Sequence, residues 1–104
     1  MKNARRTAAK KRLEQLLSAS AITEGMYVRP WGDHLVLGRH EVLGPDGELE
    51  PDDRVRLTAR NATTYGLSVR RHTGRWEKTP FTGTLEELTD VICAYMQHIV
   101  APYF

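Results

Sequence analysis

Six cationic side chains fall within the first twelve residues, Lys2, Arg5, Arg6, Lys10, Lys11 and Arg12, with no acid among them. This arm is +6, whereas the remainder of the chain is −4. A dense cationic segment on a mildly acidic body suits a polyanion, which releases counterions as its phosphates are neutralised. A second basic stretch runs from Arg54 to Lys78. There Arg54, Arg56, Arg60, Arg70, Arg71, Arg75 and Lys78 stand against Glu77 alone. Trp76 sits among these cations, with Tyr65 nearby. Arginine interleaved with rings on an exposed sheet is a chemistry for single strands, because cations meet phosphates while bases stack. The plain alternative is a solvated strand face on which Trp76 covers arginine stems.

Other chemistries find less support. The histidines His34, His40, His72 and His98 are scattered. His34 and His40 lie roughly 20 Å apart on an extended strand, too far to share a metal unless Gly38 bends it. Asp46, Glu48, Glu50, Asp52 and Asp53 crowd eight residues, and hard cations favour clustered carboxylates. Gly47 is misplaced for an EF-hand loop, however, and the closing bidentate Glu is missing. Residues 46–53 therefore read as a solvated connection that also repels a polyanion from one end of the sheet. Cys93 lies among Val91, Ile92, Tyr95 and Met96 and reads as a small hydrophobe. Phosphate-loop, nucleophile-elbow, H-E-x-x-H and C-x-x-C patterns do not occur. No catalytic, metal or cofactor residue is assigned, and the expectation is a non-enzymatic binding protein.

Composition bounds the fold. A chain of 104 residues, 40% hydrophobic and 27% charged, can form one domain with a modest core. A single cysteine excludes an internal disulfide and makes a reducing, cytoplasmic setting the expectation. No apolar run reaches membrane-spanning length, so no membrane partner is expected. The N-terminus has basic residues but no proper apolar h-region. Residues 1–21 do share the Arg/Ser/Ala bias of a transit peptide, but no cleavage-like break separates them from the domain.

The elements that must position these residues emerge from periodicity. Residues 1–22 read as a basic arm and helix, and 23–104 as one α+β domain. The spacing predicts a helix over 4–19 with Asn3 as N-cap and Ala9, Leu13, Leu16 and Leu17 on the docking side. Its first two turns lack an apolar stripe and are expected to project. From Met26 to Phe81 the pattern has period two. Met26–Arg29 is a short strand expected to stop at Pro30. A longer one runs over 34–43, with Gly38 permitting a bulge. In residues 54–60, Val55, Leu57 and Ala59 face inward, with Arg54, Arg56, Thr58 and Arg60 outward. Tyr65, Leu67 and Val69 again face inward.

His72-Thr73-Gly74 suits a three-residue hairpin loop with Gly74 left-handed. That register sets Arg71 opposite Arg75 and Arg70 opposite Trp76; a two-residue turn would set Trp76 opposite Arg71. Thr84-Leu85-Glu86-Glu87 is a capping box, and Leu85, Leu88, Ile92, Tyr95, Met96 and Ile99 form one apolar stripe. Pro102 closes that helix near Ala101. The strand–strand–helix order over 54–101 is similar to that of PUR-type modules, a likeness of fold order that carries over no residue.

The sequence thus predicts an N-terminal helix, a four- to five-stranded antiparallel meander, and a C-terminal helix on one face. The leading functional expectation is a nucleic-acid-associated or regulatory protein using Lys2, Arg5, Arg6, Lys10, Lys11, Arg12, Arg54, Arg56, Arg60, Arg70, Arg75, Trp76 and Lys78. The alternative is a protein–protein interaction module (adaptor, inhibitor or immunity-like) acting through the open sheet or an edge strand. A homodimer fits either.

Overall fold

The computed structural model describes residues 2–103. The fold is α+β. Helix α1 (Asn3–Ser18) is followed by strands β1 (Tyr27–Trp31), β2 (His34–Val42), β3 (Leu49–Ala59), β4 (Tyr65–Arg70) and β5 (Trp76–Gly83), then helices α2 (Leu85–Tyr95) and α3 (Gln97–Val100). The strands form one open antiparallel sheet in the order β1-β2-β3-β4-β5. Helices α1 and α2 pack on each other over one side of that sheet, α1 against β1 and α2 against β5.

Alternation decides which side is covered. Leu35 and Leu37, Val55 and Leu57, and Leu67 and Val69 pair across β2, β3 and β4 on the helix side. They meet Leu13 and Leu17 of α1 and Leu88 and Ile92 of α2 in one core. Thr84 accepts from the Glu87 amide at 3.2 Å, and Glu87 accepts from the Thr84 amide at 3.0 Å, completing the capping box.

Several expectations change at the ends of elements. Asn3 is the first helical residue of α1, and Lys2 occupies the N-cap without a side-chain capping bond. The first turns of α1 do not project. Ala9 is buried, the Arg5 guanidinium lies 5.5 Å above the Tyr65 ring and donates to the Asn61 carbonyl, and Arg12 meets Glu86 at 2.9 Å. Long basic side chains thus dock the turns that lack an apolar stripe, their stems lying along the protein. Pro30 does not end β1, because β1 is an edge strand and tolerates a missing N–H. Glu50, Asp52 and Asp53 belong to β3 rather than to a solvated loop.

The C-terminal helix breaks at Met96 (φ −120°, ψ 23°), which turns Ile99 and Val100 back toward β3. Tyr95, expected in the buried stripe, is instead 68% exposed and stacks beside Phe81 at 6.2 Å; Val100 is fully buried.

The main departure is Arg54. The β2–β3 register shifts between Leu37 and Gly38, so that Val55 faces Leu37 while Asp53 faces Gly38. One extra residue, Arg54, is accommodated by this bulge, and its side chain joins the helix side instead of facing outward. Gly38 is required here by close approach, since a Cβ would lie 2.2 Å from the Asp52 carbonyl oxygen and 2.4 Å from the Tyr27 hydroxyl. Arg54 is 5% exposed and is held by Glu41 at 3.1 Å, Asp52 at 2.6 Å, and the carbonyls of Ile99 and Ala101. Beside it Arg39 donates to the carbonyls of Ile22, Glu24 and Val100. Two arginines therefore pin the α1–β1 connection and the last helical turn to the middle of the sheet.

Candidate nucleic-acid interface

The side of the sheet away from the helices carries three cross-strand rows. Trp31, His34, Thr58, Gly66 and Thr82 form the first; Arg29, Val36, Arg56, Ser68 and Lys78 form the second. Tyr27, Gly38 and Asp53 begin the third, which the pair Arg70–Trp76 completes. The β4–β5 turn places them as predicted: Gly74 has φ +85°, the Arg71 amide donates to the Arg75 carbonyl at 2.8 Å, and Trp76 pairs with Arg70.

Charge and rings interleave on this surface. The Arg56 guanidinium lies 4.8 Å from the centre of the Trp76 ring. Trp31 stacks on His34 with centroids 5.9 Å apart and planes 15° apart. His34 Nδ1 lies 2.8 Å from the Thr58 hydroxyl. Burial, followed by the Arg56 charge, holds His34 below the ordinary histidine range, which favours the neutral ring at pH 7. Asp53, the acid of these rows, is already engaged. It takes Arg29 at 2.7 Å, approaches Arg70 at 3.8 Å, and accepts from the Tyr27 phenol, whose pKa is raised by burial and then by that bond.

The predicted site residues divide into three groups. Arg56, Arg70, Trp76 and Lys78 share the open side, and Arg60 joins them at the wall of a cleft over Gly66. Arg75 is exposed in the β4–β5 turn. Arg54 is withdrawn into the interior, as described. Tyr65, considered beside Trp76, is buried on the helix side under Arg5.

The arm is spread along α1. Arg5 reaches the Asn61 carbonyl, which brings Lys2, Arg5 and Arg6 to the end of the sheet that also bears Arg60. Lys10 pairs with Glu14 at 3.2 Å near the β1 edge, Lys11 is exposed, and Arg12 is paired with Glu86. Arg29 and Trp31 were not singled out from the sequence, and His34 was weighed there only as a metal ligand. The signal was alternation continued through Pro30, which places Tyr27, Arg29 and Trp31 on one side once β1 is read as an edge.

Among the described residues no three His, Cys, Asp or Glu side chains converge as metal ligands, and no helix is long and apolar enough to cross a membrane. No family model, curated protein or solved structure matches the chain.

Proposed function

We propose that this protein binds single-stranded nucleic acid on the open side of its sheet, in an associative or regulatory role without catalysis. The observation that carries the reading is the composition of the open rows. Arg29, Arg56, Arg70 and Lys78 share them with Trp31, His34 and Trp76, and the acid present is neutralised by its own neighbours. Cations tracking a backbone beside rings available for stacking are what a sequence-tolerant strand binder needs. The α1 N-terminus extends the same basic surface around the Arg60 end.

The test is titration of labelled single- and double-stranded dodecamers at two salt concentrations. With about five phosphate contacts, single-strand affinity should fall roughly 10²-fold between about 50 and 200 mM salt. Absence of binding at the lower concentration overturns the reading.

A protein partner is favoured at a different place. The β2–β3 hairpin exposes Val42, Leu43 and Leu49 beside Asp46, Glu48 and Glu50, a surface suited to a basic, apolar protein rather than to a polyanion. A homodimer would use the open sheet side more readily than the edges, since Pro30 and Pro80 interrupt both edge strands.

A further inference from the structure

We propose that the cleft over Gly66 is a phosphoryl pocket that seats one nucleotide unit, an assignment that rests on the open-side reading and makes it specific. The cleft measures about 450 Å³, within the range of small-ligand sites. Its depth has two causes in the chain. Gly66 contributes no side chain at the centre of the Thr58–Gly66–Thr82 row. The β4–β5 register also shifts there, leaving Thr79, Pro80 and Phe81 opposite Leu67 alone. Pro80 has no N–H for the ladder, and the Thr79 hydroxyl donates to the Leu67 carbonyl at 2.8 Å in its place.

The lining selects for an anion. Arg56, Arg60 and Lys78 surround the cleft together with the hydroxyl residues Thr58, Ser68, Thr79 and Thr82, and among the described residues no carboxylate lines it. Three cations held near one another without a counter-charge repel, and a phosphoryl group relieves that repulsion while accepting from them. Arg56 supplies a second observation: its Nε is buried with no protein acceptor. A buried N–H without an acceptor is costly, and a turn of the Arg56 side chain toward a phosphoryl oxygen in the cleft would satisfy it. Trp76, beneath the same guanidinium, keeps Arg56 on this side, so phosphate at the cleft and base at the ring lie one arginine apart.

Gly66→Val tests the pocket. Gly66 is not among the glycines with positive φ, and an added Cβ would meet only the Arg60 Cδ at 3.7 Å. A β-branched residue suits the strand and raises the cleft floor without backbone strain. The full chain and the variant, with melting temperatures compared to confirm folding, are titrated by amide NMR with inorganic phosphate and with adenosine monophosphate. Fluorescence titration then uses a labelled single-stranded dodecamer.

Both small probes should shift amides around Thr58, Gly66, Ser68 and Lys78 in the native protein and not in Gly66→Val, and dodecamer affinity should fall about tenfold in the variant. Equal dodecamer affinity in the two proteins, with no phosphate shifts near Gly66, overturns the pocket and leaves the open-side reading standing. Shifts spread evenly over exposed Lys and Arg amides also overturn it. Saturable phosphate and nucleotide binding without dodecamer binding upholds the pocket for a free nucleotide and overturns the strand reading.

Discussion

Arg54 and Arg56 are two residues apart in a cleanly alternating stretch, yet they end on opposite sides of the sheet. Alternation alone places both outward; the bulge opposite Gly38 separates them, and only the possibility of that bulge was legible in the sequence. The energetics of the two residues differ accordingly. Arg54→Ala removes one partner of a buried pair and leaves Glu41, 7% exposed, without its cation. Urea denaturation should show a loss of about 3–5 kcal/mol, and Arg54→Met together with Glu41→Leu should recover only part of it, because Asp52 and the Ile99 and Ala101 carbonyls still lose their donor. Trp76→Ala should cost about 1–3 kcal/mol of stability, because the ring is largely covered and lies under the Arg56 guanidinium. The same change should weaken single-strand binding by about 1–3 kcal/mol if a base stacks there, and duplex binding much less. Equal losses on both nucleic acids would exclude a base stacked on Trp76.

Helix α2 was the most legible element, because a capping box and an apolar stripe act within a few residues of each other. Its end was not legible. The break at Met96 answers no local breaker; Ile99, Val100 and Ala101 turn inward, where Arg54 and Arg39 donate to their carbonyls. A sequence pattern carries the stripe but not the distant donors that bend it. Paired substitutions expose the difference. Ile92→Ala should cost about 2–5 kcal/mol, as for a fully buried aliphatic side chain. Tyr95→Ala should cost no more than about 1–1.5 kcal/mol, the worth of its exposed stack on Phe81. Comparable losses at both positions, measured by chemical denaturation, would restore Tyr95 to the core. The meander itself was readable because each strand buries one side, which penalises any slip of register. The cleft over Gly66 was not, since it needs Gly66, Pro80 and Thr79 to coincide across two strands.

The separation of charge along the sequence becomes separation in space, over a molecule of 42 × 28 × 28 Å. Arg5 reaches the β3–β4 turn and Arg6 lies near Asp33 of the β1–β2 turn at the same end, while Asp46, Glu48 and Glu50 occupy the β2–β3 hairpin. On the proposed reading, a nucleic-acid strand approaching from solution would meet attraction at one end and repulsion at the other, biasing its landing toward Arg60 and the cleft. The composition made two charge classes legible, but not that α1 would lie down and bring its N-terminus to that end. The paired arginines at mid-sheet have a different consequence, in the order in which the molecule opens. Arg39 holds carbonyls at Ile22 and Glu24 and another at Val100, so two segments separated by most of the chain share one donor. Each bond uses a different N–H of one guanidinium, so movement of either segment frees the side chain that the other helps to hold. In native-state hydrogen exchange the amides of Glu24 and Met26 should open with the same free energy and urea slope as those of Val100 and Ala101. Arg39→Lys, a point charge in place of a rigid fork, should split that unit into two independently opening ends.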